Sequence, residues 1–234
     1  MAIFDLGAAE PDFRARAEKM YKDERARYQA NTNDHHAAWQ FGRACFDFAE
    51  FAANDKERES LAQEGIAVCR QVVAKAPDLA AARYYLALNL GQLARTRLMS
   101  GLAIVSEMEK TLLATRAVDE KYDFGGPDRS VGLLYLDAPG WPLSVGSNAK
   151  ARKHLERAAE LFPDFPENRL CLLEAYLRWD KKDEILTEHK KVEELLPKAR
   201  EQFSGERWES AWVDWDKRWR AIQKKVKKFL ADGN

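Results

Sequence analysis

Four histidines, three cysteines and a dense set of carboxylates are the side chains of this sequence that could do chemistry. His35 and His36 are adjacent, so on a helix their rings point in different directions, and His154 and His189 stand alone. No HExxH pair is present, and no Cys/His cluster has the spacing of a zinc site. The expectation is therefore no metal. Cys45, Cys69 and Cys171 are far apart, form no CxxC and lie in apolar helical patterns. They read as small core residues, and a disulfide framework is excluded. No GxSxG elbow or phosphate-binding loop occurs. Gly125-Gly126-Pro127 has no strand before it and no lysine in place after it. The carboxylates alternate with lysine and arginine as on solvated helix faces, and no pair stands out for acid–base work. These observations predict a chain that is not an enzyme, with no catalytic residue and no cofactor.

Two other patterns carry more information. Arg83, Arg129 and Arg169 fall at similar places near the starts of three successive helices. Salt bridges between neighbouring repeats would explain them; so would a groove that receives an anionic carboxylate or phosphate. The second pattern is Trp208, Trp212, Trp215, Trp219, Ile222, Val226 and Phe229, spaced 4, 3, 4, 3, 4, 3. It is an apolar stripe on one helix. The stripe would cap a solenoid, pair with a second copy of the chain, or lie on a membrane surface.

The elements that must position these residues are helical. Lys+Arg and Asp+Glu are each 38, so net charge is zero, which argues against a nucleic-acid binder. Charged residues make up 32% and hydrophobic ones 46%, enough for a folded core across 234 residues. No apolar run approaches the roughly 20 residues of a transmembrane span. Met1-Ala-Ile-Phe-Asp-Leu-Gly7 lacks the regions of a signal peptide. The expected compartment is the cytoplasm for the chain as written, and the periplasm or exterior if a signal has been removed. Ala, Leu, Glu, Lys and Arg favour helix, and Pro and Gly fall between periodic stretches. The pattern predicts helices over 11–30, 34–53, 57–76, 80–98, 101–121, 127–136, 148–162, 166–179, 182–196 and 205–231. Asp34, Asp78, Asp180 and Ser204 are expected caps, with Pro127 and Pro166 opening helices.

The helices repeat. Pro77-Asp78-Leu79 is followed by Arg83, and Pro163-Asp164-Phe165 by Arg169, each six residues after the proline. Pro163 and Pro197 are 34 residues apart and enclose two amphipathic helices, which is the tetratricopeptide (TPR) period. Ala151–Pro163 and Gly65–Pro77 match second helices of such units. The 122–147 stretch, rich in Gly and Pro and carrying Trp141, reads either as a structural clasp or as the lid of a binding site.

Residues about 37–197 resemble the TPR-like family that includes TatT, the component associated with TRAP transporters. They are also similar to the TPR domain of the regulator of microtubule dynamics family. The residues that carry this are Ala82–Gly91, Gly101–Val105, Tyr122–Arg129, Gly132–Tyr135 and Ala138–Trp141, above all the Gly-Gly-Pro-x-Arg stretch. The resemblance implies an all-helical body with a cleft or pore. In TatT it implies a periplasmic, lipid-anchored accessory to solute uptake; in the eukaryotic branch it implies membrane-contact and lipid-related binding.

The expected architecture is an all-α, TPR-like helical-hairpin superhelix of three to four irregular repeats. It divides into an N-terminal helix (1–33), a repeat body (34–200) and a Trp-rich capping helix (201–234). The expected function is a non-catalytic scaffold whose concave groove holds a protein or peptide partner, or a small hydrophobic or anionic solute. The alternative is a carrier of a lipid or other hydrophobic molecule in a closed tunnel. Tyr84, Leu88, Arg129, Tyr135 and Trp141 are the candidate groove residues. Homo-oligomerisation through Trp208, Trp212, Trp215 and Trp219 is a further expectation.

Overall fold

The computed structural model describes residues 12–97 and 101–232. They form ten helices: α1 (Phe13–Ala30), α2 (His35–Ala49), α3 (Asp55–Lys75), α4 (Ala80–Arg95), α5 (Gly101–Val118), α6 (Tyr122–Asp137), α7 (Asn148–Leu161), α8 (Pro166–Arg178), α9 (Lys182–Gln202) and α10 (Glu206–Asp232). Among the described residues there is no strand, only an isolated bridge between Gly140 and Gly146. Helices α2/α3, α4/α5, α6/α7 and α8/α9 make four antiparallel hairpins. Each first helix touches the first helix of the next hairpin, so α2, α4, α6, α8 and α10 form one continuous wall.

The helix starts are set by local chemistry. Asp34 accepts from the His36 and Ala37 amides at 2.8 and 3.2 Å, as expected of a cap. Asp12, Asn54 and Ser147 cap α1, α3 and α7 in the same way. Asp78 and Asp180 do not. Leu79 and Lys181 hold those positions with no side-chain bond, and Asp180 instead takes a left-handed backbone. At α10 the residue before the helix is Gly205 at φ 87°, not Ser204.

The repeated arginines share a bond to a backbone carbonyl, and none makes a salt bridge to a neighbouring repeat; Arg169 pairs with Glu188 of its own hairpin at 2.9 Å. Arg83 Nε donates to the Pro77 carbonyl, and Arg169 Nε donates to the Pro163 carbonyl at 3.0 Å. Arg129 Nη1 reaches the Asp123 carbonyl, again six residues back, at 3.4 Å. The Pro-x5-Arg spacing thus ties α4 and α8 to the end of the preceding hairpin, where carbonyls lack helical partners, while Arg129 reaches back to the entry turn of its own helix. Pro197 does not end a helix: α9 runs through it to Gln202, across the expected boundary at 200. Pro197 and Glu193, whose carbonyl loses its donor, both lie on the exposed face, where water can replace the missing bond.

Close packing within and between hairpins rests on glycines. Asn89 Nδ2 donates to the carbonyls of Gly42 and Tyr85 at 2.9 and 2.7 Å. A Cβ on Gly42 would stand 2.2 Å from Cys69 Sγ. Alanine at a helix interior normally gains about 1 kcal/mol over glycine, but overpacking a core costs about 1–3 kcal/mol. Gly42→Ala should therefore lower the urea midpoint; a rise would show that the α2–α3 contact can open freely. Cys45, Cys69 and Cys171 are buried free thiols, and burial pushes the Cys69 thiol up to about 12.

Helix α1 joins the body. Tyr21 packs between Phe41 and Phe48, and Tyr28 stacks on Phe41 at 5.7 Å. At the other end, Trp212, Trp215, Ile222 and Val226 of α10 are buried, with Trp208, Trp219 and Phe229 partly so. Burial of each large apolar side chain contributes about 1.5–3 kcal/mol. The stripe faces its own chain as a cap. Self-association through Trp208, Trp212, Trp215 and Trp219 would need a face that the molecule already covers.

Candidate binding groove

The Gly-Gly-Pro-x-Arg stretch builds the centre of the wall. Asp123, Phe124 and Gly125 follow one another in the left-handed region, at φ 48°, 56° and 76°. For the two residues with a Cβ this costs about 1–2 kcal/mol each, so neighbours must hold it. Arg129 does most of this. Its guanidinium bonds the Asp123 carboxylate at 2.8 Å, Asn168 Oδ1 at 2.9 Å and the carbonyls of Asp123 and Phe124. Asn168 Nδ2 in turn donates to the carbonyls of Phe124 and Ala158, both at 2.9 Å. Phe124 stacks on Phe165 at 4.5 Å, and Arg129 lies over the same ring. Gly126 is required because Tyr84 Oη would be 2.6 Å from its Cβ. Pro127 then opens the regular part of α6.

Helix α10 lies against this wall. Trp208 meets Phe124, Phe165 and Phe203 at ring distances of 5.0–6.0 Å. Trp215 Nε1 donates to Glu167 at 2.6 Å. Arg218 pairs with Glu167 at 2.7 Å and with Glu174 at 2.8 Å. Burial raises the Glu167 carboxyl, but the charges of Arg218 and Arg129 and the hydrogen bonds to Arg218 and Cys171 outweigh it and hold it at about 2. The first turn of α10 reaches α1: Arg16 pairs with Glu209 at 2.5 Å and Glu206 at 3.7 Å. The cap therefore ties the C-terminal end of the solenoid to its first helix.

Between α1, α2 and this end of α10 an open cleft of about 640 Å³ remains. Phe13, Met20 and Phe51 give it apolar walls, and Arg43, Asp47 and Arg207 give it charge. Met20 is 52% exposed although it lies on the inner face of α1. Arg43 pairs with Asp47 at 3.3 Å and sits over the Tyr85 ring, which leaves part of each charge toward the cleft.

The five sequence candidates do not converge here. Tyr84 and Arg129 share the buried network of the α6 turn, with Tyr84 Oη 3.1 Å from Asp123. Leu88 is half-buried on α4 and packs against the core. Tyr135 is buried and donates to Glu109 at 2.7 Å. Trp141 is 88% exposed on the α6–α7 loop. The cleft residues Met20, Arg43 and Asp47 carry only a weak sequence signal, because they fall beside the apolar stripes of their helices and not within them. The contact that frames them, Arg16 to Glu209, spans almost the whole chain.

A second cleft, of about 420 Å³, lies beside α7. There the fully buried Asp128 accepts from Arg116 Nε at 2.9 Å and lies 2.6 Å from His154 Nδ1. Asp128 joins α5, α6 and α7 through these two contacts. Arg152, Lys153 and Arg157 of α7 line the same cleft. Among the described residues, no group of three or more His, Cys, Asp or Glu could hold a metal ion. None of the described helices is long and apolar enough to cross a membrane.

With this geometry in view, comparisons place the chain among known proteins. A family model described as regulator of microtubule dynamics protein 1-3 matches residues 8–102. The match runs through α1–α4 and stops before the Gly-Gly-Pro-x-Arg turn. A search of curated protein sequences finds no match. Among solved structures, TTC0263, a thermophilic TPR protein of Thermus thermophilus, superposes with a TM-score of 0.67 at 19% identity, covering 89% of this chain and 91% of that one. MamA superposes with a TM-score of 0.56 at 16% identity, over 82% of this chain and 99% of that one. The chain has an all-α, TPR-like fold.

Proposed function

We propose that the chain is a non-catalytic scaffold that holds an extended segment of a partner protein in the cleft between α1, α2 and α10. The supporting observation is the character of that cleft: open to solvent, with Met20 and Phe51 beside Arg43, Asp47 and Arg207. Mixed polarity in an open groove suits a peptide, whose side chains alternate in character and whose backbone needs polar partners. A transport-associated accessory role is the narrower form of this proposal, in which the partner belongs to a solute-uptake system. The alternative of a closed lipid tunnel gains no support from the placement of Tyr84, Tyr135 and Trp141, which lie apart.

Selection from a phage-displayed random peptide library against the whole chain tests the proposal. Bound peptides should lose about tenfold or more in affinity on Met20→Glu with Arg43→Glu, as hot-spot truncations do. Both side chains are about half exposed, so folding should persist. Peptides that bind wild type and variant alike would place the binding surface elsewhere.

A further inference from the structure

Among the described residues, the two most exposed large apolar side chains are neighbours: Trp141 at 88% and Leu143 at 69%. They sit at the tip of the 138–147 loop, which contains no charged residue. The loop is firmly closed at its base. Gly146 N donates to the Pro139 carbonyl and Ser147 N to the Tyr135 carbonyl, both at 2.9 Å. A Cβ on Gly146 would stand 2.0 Å from the Ala138 carbonyl oxygen. Val145 turns inward onto the core, which leaves Trp141 and Leu143 pointing out on a braced support. Contiguous exposed apolar surface marks protein or membrane interaction sites.

A separate observation lies on the same edge of the solenoid. The loop leaves α6 after Asp137, which pairs with Arg178 at the end of α8 at 2.6 Å. Arg178 shares a cleft with Lys225, Lys228 and Phe229 at the end of α10. From Lys217 to Ala231 the sequence has no acidic residue. Lys217, Arg220, Lys224, Lys227 and Lys228 project away from the buried stripe, are exposed, and make no ion pair among the described residues. Leu230, 43% exposed, stands among them.

We infer that this edge, the 138–147 loop with the C-terminal half of α10, docks on an anionic lipid bilayer. The projecting tip argues for a flat, soft surface rather than a fitted protein pocket. Tryptophan favours the bilayer interface, and lysines near it are drawn to anionic headgroups. The Trp-rich stripe takes no part, because it is buried against α8 and α9. The inference is independent of the peptide cleft, which lies at α1, α2 and the opposite end of α10.

Sedimentation of the whole chain with vesicles tests it. Vesicles of phosphatidylcholine with phosphatidylserine should carry the protein down, and added salt should release it. Phosphatidylcholine alone should bind at least about tenfold more weakly, since each lysine near an anionic surface is worth about fivefold. Trp141→Ser with Leu143→Ser should weaken binding by about tenfold or more. Lys224→Glu with Lys228→Glu should weaken it by at least about 25-fold. All four positions are exposed, so helicity and the unfolding midpoint should not change, which separates lost docking from lost folding. Absence of sedimentation, equal binding to neutral vesicles, or binding unchanged by either variant would overturn the inference. So would an acidic protein captured through Lys224 and Lys228 by a chain that binds no vesicle.

Discussion

Arg218→Ala should detach α10 from the wall at a cost of about 1.5–3 kcal/mol, the range for hydrogen bonds to charged groups, because its ion pairs are only partly buried. Arg218 is the common partner of Glu167, Glu174 and Asp214, and it also donates to Cys171 Sγ at 3.3 Å. Without it, Glu167 keeps its bonds from Trp215 and Cys171, but burial then works against its charge. The acid dependence gives a second handle. The folded Glu167 carboxyl lies at about 2, below the ordinary value of 4.5. Its contribution to stability is fully present above about pH 4.5 and is lost as pH falls through about 2; at roughly 1.4 kcal/mol per pH unit it amounts to about 3 kcal/mol. Wild type should therefore lose more stability than Glu167→Gln on titration from pH 5 to pH 2. Because α10 carries Trp208, Trp212, Trp215 and Trp219, near-ultraviolet circular dichroism and tryptophan emission read the docking directly. Equal acid profiles for wild type and Glu167→Gln would show that the latch lies elsewhere.

Much of the architecture was legible because helical punctuation is local. Pro166 opens α8 where its missing amide costs nothing, and the 4–3 spacing of the tryptophan stripe identifies one buried face of α10. Local reasoning failed where tertiary contacts decide. Asp78 looks like a cap, yet Leu79 takes the position, and the proline ahead of it is served by Arg83 from the following helix. Pro197 reads as a stop, yet the exposed face of α9 lets the helix continue. Asp123 and Phe124 give no sign of left-handed backbone, because their conformation is imposed by Arg129 and by Asn168, far along the chain. The cleft was least legible. It exists because Arg16 meets Glu209, a contact set by the curvature of four stacked hairpins and not by any spacing within one of them.

Arg129→Ala should be the other large effect, at about 3–5 kcal/mol, and it decides what the arginine is for. Two roles compete. An arginine that receives an anionic ligand keeps donors free, and its loss changes binding more than stability. Arg129 is 8% exposed, and its terminal nitrogens are engaged by a carboxylate, an amide oxygen and two carbonyls. Truncation would leave these buried acceptors without a donor, at about 1–3 kcal/mol each before relaxation. It would also release two residues with a Cβ from a backbone they do not otherwise favour. Lysine should not rescue the fold, because one ammonium cannot match the planar fork that spans Asp123 and Asn168. Urea unfolding of Arg129→Ala and Arg129→Lys should show both midpoints far below wild type, with Arg83→Ala, whose arginine is half-buried and bonds one carbonyl, close to it. Limited proteolysis should open the 121–126 segment in the Arg129 variants first, since that turn loses its support while α8 keeps its own packing. A cost below about 1 kcal/mol would mean that Phe124 on Phe165 holds the turn without the arginine. Arg129 would then be free to meet an anion, and the wall beside α10 would have to be counted as part of the binding groove.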